Sequence, residues 1–298
     1  MSLLNLTNDG LPNVLAMLHA AVLRAGKPVA REDLLEAVAP ASVVDDGGEM
    51  AHQTLRTWTE LGLFRQEGNA ITVDERPVDS KIAGLELMRF TRRVACKRAL
   101  AEENNTDLWA VKSARAADLT RSLAWMLAQD VYRASFSEFE AQEAQQIADP
   151  ERLLMRNSTR RNGLQYWAPF LGFSRHPHAA IDPTVAVRDA LPDILDLDQG
   201  MPAADFVAQL AWLLPVLDGG RYQREVLAAV DPNALAPRNP GQLSTALSRA
   251  LLNLRASGDI VMAQKSDTGS AVMLTGTQGA RHDLTFQWIS RPAVGQSR

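Results

Sequence analysis

A chain of 298 residues, 46% apolar and 22% charged, has the composition of an ordinary globular protein and room for two or three domains, each with its own core. No apolar run approaches the ~20 residues of a membrane helix, and the N-terminus lacks the basic start and long apolar core of a signal peptide, so a cytoplasmic protein without a membrane partner is expected. Cys96 stands alone, which excludes an internal disulfide and every cysteine-cluster metal site.

Leu11 to Ala25 predicts a first helix, with Asp9 or Gly10 near its cap, Pro12 in the first turn, and Val14, Leu15, Leu18 and Val22 as its buried stripe. Pro28-Val29 is a short extended link. Arg31 to Val38 predicts the second helix, and Asp45-Asp46-Gly47-Gly48 a turn capping a third that runs through Leu61. Leu63 to Gln66 and Ala70 to Val73, joined around Glu67-Gly68-Asn69, predict a hairpin, because Gly-Asn suits the positive φ angles of a tight turn. Helix, helix, longer helix and hairpin is the winged-helix plan.

From Val78 to about Pro177 the pattern is almost all helical, with breaks near Asn104-Asn105, Ser135, Asp149-Pro150 and Pro169. Arg175 to Pro183 looks like a connector, followed by an acidic stretch from Asp189 to Asp198. Pro202 opens a second unit with helices at Ala203 to Leu217, Tyr222 to Val230 and Pro240 to Ala256, the last with Asn239 as its cap. Ile260 to Gln264 and Ala271 to Leu274 predict its wing around residues 266–270, and Leu284 to Ile289 one further strand.

A repeated segment supports the pairing of the two units. Gly26 to Pro40 (GKPVAREDLLEAVAP) matches Gly220 to Pro232 (GRYQREVLAAVDP), with Arg31-Glu32 against Arg224-Glu225 and Leu34 against Leu227. Each copy precedes a helix closing on glycine at the same spacing, Leu55, Trp58, Gly62 and Leu251, Leu254, Gly258: one helical face, then a C-cap. The expected architecture is mainly α, with two winged-helix domains (1–77 and 181–298, the latter including a linker) flanking a helical middle domain (78–180) that carries a basic helix.

Net charge is −4 and the pI is near 5.8, which counts against wholesale coating of nucleic acid. The charge is uneven. Residues 1–77 carry 6 basic and 11 acidic groups, 78–180 carry 15 and 12, and 181–298 carry 10 and 12, so only the middle is net positive. Arginine outnumbers lysine 26 to 5, which suits phosphate contact and equally a GC-rich coding sequence.

Three surfaces are candidates for DNA or protein contact. The predicted helix from about Asp79 to Ala101 carries Lys81, Arg89, Arg92, Arg93, Lys97 and Arg98 against one acid, Glu86; Arg89, Arg93 and Lys97 fall at i, i+4, i+8. That stripe can neutralise phosphates, or pair with Glu102, Glu103 and the acids of residues 137–149, and Arg160-Arg161 could extend it. The third helix of the first unit buries Ala51, Leu55, Trp58 and Leu61 and shows Gln53, Arg56, Thr57 and Glu60; glutamine and arginine read adenine and guanine edges, whereas Asp45, Asp46, Glu49 and Glu60 repel phosphate and favour a partner. The third helix of the second unit shows Gln242, Thr245, Ser248, Arg249, Leu252 and Asn253, with Arg255 at its end and Lys265 on its wing. There Leu252 suits a protein interface as well as a thymine methyl.

Catalytic constellations are missing from the pattern. His176 and His178 are too few ligands for zinc, Glu138, Glu140 and Glu143 have no histidine partner, and no phosphate loop, nucleophile elbow or HExxH occurs. No enzyme activity, metal, cofactor or small-molecule substrate is expected.

The opening Leu3 to Leu18, LLNLTNDGLPNVLAML, leading straight into the first unit, resembles the start of DpdG-like proteins, over about the first forty residues. Those proteins occur in bacterial defence islands that install and police 7-deazaguanine DNA modification. The resemblance implies a role beside helicases and nucleases in a restriction machine, and carries over no functional residue. The acidic tandem layout is also similar to kleisin-interacting winged-helix subunits. The expected function is therefore a non-catalytic adaptor of a DNA-defence complex, contacting DNA and protein. The alternatives are a pure assembly subunit without DNA affinity, and a dimeric transcription regulator on a palindromic site.

Overall fold

The computed structural model describes residues 3–4, 11–40, 42–109, 115–175, 180–265, 271–277 and 279–292, of which 280–283 by backbone alone. The described residues are mainly helical, with small antiparallel sheets. They divide into two compact units, residues 1–119 with 157–171, and residues 120–156 with 172–298.

The first unit begins with α1 (Pro12–Ala25), which starts on Pro12 and closes on Gly26 at φ 66°. Strand β1 (Val29–Ala30) leads directly into α2 (Arg31–Val38), and α3 (Glu49–Glu60) follows. Strands β2 (Arg65–Glu67) and β3 (Ala70–Thr72) turn at Gly68, φ 60°. β3 lies in the centre of the sheet, pairing antiparallel with β2 (Gln66↔Ile71) and with β1 (Val29↔Ile71), so the order is β1-β3-β2. Leu15, Leu18 and Val22 of α1, Leu34 of α2, and Leu55 and Trp58 of α3 close over Ile71 as the core. At the end of α3, Gly62 adopts φ 80° and the Leu63 N–H returns to the Trp58 carbonyl at 2.8 Å, the left-handed helix stop its sequence predicts.

The chain continues through α4 (Gly84–Leu100), α5 (Ala117–Ala128), α6 (Phe139–Gln146) and α7 (Ser158–Phe170). α4 and α7 complete the first unit by packing on α1. Trp167 of α7 meets Trp58 of α3 with ring centroids 5.3 Å apart. Pro169 does not break α7; it occupies the last turn, where a missing N–H costs one bond.

In the second unit α5 and α6 are joined by polar groups: Trp125 Nε1 donates to Gln146 Oε1 at 2.8 Å, and Gln129 and Gln146 exchange amide hydrogen bonds. Strands β4 (Ser174–Arg175) and β5 (Ala180–Ile181) form a short ladder. Then come α8 (Thr184–Ile194), β6 (Gly200–Pro202), α9 (Ala203–Leu213), α10 (Arg221–Leu227) and α11 (Thr245–Ala256). Strands β7 (Val261–Ala263), β8 (Val272–Gly276), β9 (Gly279–Phe286) and β10 (Trp288–Ser290) end the described chain.

Several sequence expectations are corrected here. Thr184–Ile194 is a helix that takes in the start of the acidic stretch expected from Asp189: Ala186, Val187, Ala190, Leu191 and Ile194 are buried at helical spacing, while Asp189 and Asp193 lie on the other face. The expected wing does not form. β7 pairs with β10 (Met262↔Ile289), while β8 pairs with β9, and the tail strand is the end of β9 plus β10. The last helix starts at Thr245, not Pro240; Ser244 is its cap, its Oγ accepting from the Leu247 N–H at 3.1 Å.

The sheet order β6-β10-β7 also revises the internal repeat. β6 leads directly into α9 and pairs with the last strand (Met201↔Ile289), as β1 leads into α2 and pairs with β3. The topological counterparts of α1, α2 and α3 are therefore α8, α9 and α11. α10, which contains Arg224-Glu225, has no strand before it and no equivalent of that kind. The Arg-Glu match joins non-equivalent helices.

Candidate functional site

α4 buries Leu87, Thr91, Val94, Ala95 and Ala99 and turns Arg89, Arg93 and Lys97 outward, one band along its exposed side. Arg92 and Arg98 are half-buried at its flanks. Glu75 Oε1 accepts from Lys97 Nζ and from Arg98 Nη2, both at 3.1 Å, so the C-terminal end of the band is partly neutralised. Leu85 and Met88 are exposed near Arg89, toward the other end of the band. Lys81 precedes the helix, its backbone N–H bonded to Asp79 Oδ1 at 2.8 Å. Arg160 and Arg161 occupy the first turn of α7 in the same unit, half-buried, behind the Asn157 cap (Oδ1 to Arg160 N, 3.2 Å).

The outer face of α3 differs from its expected form. Thr57 is buried at 5% exposure and cannot reach a groove. Gln53 donates to Glu49 Oε1 at 2.9 Å and Arg56 to Glu60 Oε1 at 3.2 Å, i to i+4 pairs that direct both candidate readers along the helix. His52 Nδ1 lies 3.1 Å from Arg31 Nη2. Asp46 accepts from the Met50 N–H at 2.9 Å and the Gly48 N–H at 3.0 Å, and these bonds hold its carboxyl below the ordinary aspartate value. The entry to α3 is thus firmly anionic, and repels phosphate.

The expected reading face of α11 is turned into its own unit. Thr245 Oγ1 donates to the Gln129 carbonyl at 3.3 Å and accepts from the Val131 N–H at 3.0 Å. Ser248 is buried, its Oγ accepting from the Thr275 N–H at 2.8 Å. Asn253 donates to Asp182 Oδ2 at 3.3 Å and to Thr184 Oγ1 at 3.0 Å. Arg249 directs Nε to Asp182 Oδ2 at 4.0 Å and stands 6.0 Å from the Tyr132 ring centroid. Gln242 precedes the helix and donates to Thr275 Oγ1 at 2.9 Å. These expectations of outward placement are corrected: the 129–132 loop, β5, the start of α8 and β8 cover that face. Leu252 is half-buried, and Arg255 alone of the basic pair is exposed. Lys265 lies over the Trp288 ring at 3.7 Å.

Three features have no counterpart in the sequence reading. Asp182 is a buried carboxylate, 1% exposed, that accepts from the Thr184 N–H at 3.0 Å and from Arg175 Nε at 2.5 Å. Tyr132 is exposed beside Arg249, a contact between residues 117 positions apart that no local pattern announces. Trp212 is 80% exposed on α9; Ala208 at i−4 and Ala204 at i−8 on the same face were the available clue, since a stripe of small residues cannot bury an indole. His176 and His178 lie outside the described residues. Glu143 is structural: buried, its Oε2 accepts the N–H groups of Leu154 and Met155 at 2.9 and 2.7 Å. Among the described residues, no helix is long and apolar enough to cross a membrane.

Comparison with known proteins adds one finding. The family model described as DpdG-like matches residues 1–268. No curated protein and no solved structure matches the chain.

Proposed function

We propose that this chain, which belongs to the DpdG-like family, is a non-catalytic adaptor of a bacterial 7-deazaguanine DNA-modification and defence system, holding DNA through its first unit while meeting protein subunits of helicase or nuclease class. Both units are winged-helix modules in this reading. Its support is the element order α-β-α-α-β-β and sheet order β1-β3-β2 in the first, and the same order with α10 and a β8-β9 hairpin inserted in the second.

The observation that carries the DNA contact is the band of Arg89, Arg93 and Lys97 on α4 in an otherwise acidic protein. Arginine at these positions neutralises backbone phosphates without reading bases, which suits a protein that must act on many sequences. The test is the salt dependence of duplex DNA affinity. Arg89→Ala with Arg93→Ala should flatten the plot of log K against log salt by about 1.8, at about 0.9 per phosphate; an unchanged slope retires the band.

The second reading, a pure assembly subunit, draws on the anionic entry to α3 and the Arg56–Glu60 and Gln53–Glu49 pairs, which leave that face to a partner with Glu60 at its edge. It expects no DNA affinity in the wild-type protein at any salt concentration. A transcription regulator is disfavoured, because the reading face of α11 is occupied by the same chain.

A further inference from the structure

We infer a second nucleic-acid contact in the other unit: Tyr132, Arg175 and Arg249 form a subsite for one nucleotide of single-stranded DNA, with the base on the tyrosine ring and the adjoining phosphate between the two guanidinium groups. It is independent of the α4 band.

Asp182 is 1% exposed, and a buried carboxylate must be fully bonded. It is so already: the Thr184 N–H and hydroxyl, Asn253 Nδ2 and Arg175 Nε all donate to it. Arg249 comes no nearer than 4.0 Å, as a second cation beside an anion that one arginine and three neutral donors satisfy. One unit of positive charge is left over. Both arginines approach the carboxylate through Nε; Arg249 also donates from Nη1 to the Ile181 carbonyl at 3.5 Å, and Arg175 is 57% and Arg249 34% exposed. Two guanidinium groups fixed on one anchor are a preorganised fork for a phosphate.

The second element is the aromatic. Tyr132 is 39% exposed beside this fork, and the Arg249 guanidinium stands over its ring. The loop that carries it is held by two hydrogen bonds. Val131 N–H bonds to Thr245 Oγ1 at 3.0 Å, and Tyr132 N–H to Asp130 Oδ1 at 3.0 Å. With one face covered by a cation, the ring offers the other to a base; Arg133 next to it is 83% exposed but pairs with Asp130 at 3.5 Å, so the charge of the subsite rests on Arg175 and Arg249. A base can reach a surface ring only when it is unstacked, which selects single strands over duplex. Such a contact suits an adaptor working beside enzymes that open DNA.

The test is fluorescence anisotropy with a labelled oligo-dT, duplex of the same length and free dTMP, followed by photocrosslinking with 5-iododeoxyuridine in the strand. Wild type should bind oligo-dT and crosslink at Tyr132. Tyr132→Leu should weaken oligo-dT binding about ten-fold with its melting temperature unchanged, and Arg175→Gln should lower the salt slope by about 0.7. Normal oligo-dT affinity in both variants, or crosslinks that map only elsewhere, overturns the subsite. Binding of dTMP as tight as that of the strand also overturns it, in favour of a free-nucleotide site. The Arg89→Ala, Arg93→Ala protein should keep the Tyr132 crosslink, so failure of either contact registers separately.

Discussion

Acidification should destabilise the first unit through His19. This histidine of α1 is fully buried. Its Nδ1 lies 2.9 Å from Thr91 Oγ1, its ring stacks on Phe90 at 5.8 Å and meets Phe64 edge-on, and its Nε2 has no bonding partner. Burial lowers its pKa from 6.5 to about 4. A depressed histidine is neutral when folded and takes its proton in the unfolded chain first, so the unfolded state gains as pH falls through 6.5. The loss grows until pH 4, below which both states are protonated. With about 1.4 kcal/mol per pKa unit, the full effect over that window is about 3.4 kcal/mol, and at pH 5 about 2 kcal/mol is already lost. The assay is urea unfolding at pH 7.5 and pH 5, followed by tryptophan fluorescence, to which the buried Trp58 and Trp167 of this unit contribute, for wild type and for His19→Gln, which keeps a donor for Thr91 and cannot titrate. Carboxylates contribute equally to both proteins, so the difference isolates His19: wild type should lose about 2 kcal/mol more than the variant. Equal losses, or a His19 ring proton that titrates near 6.5 by NMR, would refute the reasoning.

Two further outcomes test the packing. Gly200 faces Trp288 Nε1, the Ile289 carbonyl (2.7 Å from an added Cβ) and Ser290 Cβ (2.9 Å), so Gly200→Ala should part β6 from β10 and cost about 1–3 kcal/mol in denaturant unfolding; a neutral result would reject the β6-β10-β7 order. Trp167→Ala empties one side of the Trp58 contact and should cost about 3–5 kcal/mol; less than 1 kcal/mol would mean α7 is not part of that core.

The first unit was legible because its signals are local. Pro12 and Gly26 mark the ends of α1, Gly62 stops α3, and Gly68-Asn69 turns the hairpin, each within a few residues of its effect. The second unit was half legible for the opposite reason. β6 is three residues long and is defined by partners almost ninety positions away, Ile289 and Trp288, so nothing nearby marks it as a strand. α8 was hidden by Pro192 and its aspartates, which resemble a linker until the buried stripe is counted. The face of α11 was misread because spacing shows which residues leave a helix's own core, not what other segments cover them; Thr245, Arg249 and Asn253 leave that core and meet residues 129–132 and 181–184 instead. The α4 band was legible because charge at i, i+4, i+8 needs no tertiary information, whereas the Glu75 clamp on Lys97 and Arg98 did.

The equivalence of α3 with α11, which the topology keeps, bears on how such a protein could contact DNA. In a single winged helix the third helix is the natural reader. Here both third helices are closed to that use by different means: α3 by carboxylates at its start and along its face, α11 by burial against its own unit. Closing a surface by burial costs a desolvated carboxylate at Asp182, and that cost is offset only if its partners are held in fixed positions. Of the cations argued to meet DNA, Arg89 and Arg93 lie on α4, outside both third helices, and the fork has only Arg249 on α11, directed at Asp182 and Tyr132. In the proposed adaptor, DNA contact is thus expected to follow backbone charge and strand state rather than sequence. Duplex probes of unrelated sequence should accordingly bind within about two-fold of one another at matched salt. A spread of a hundred-fold, equivalent to about 2.7 kcal/mol, would show a base-reading surface elsewhere in the chain.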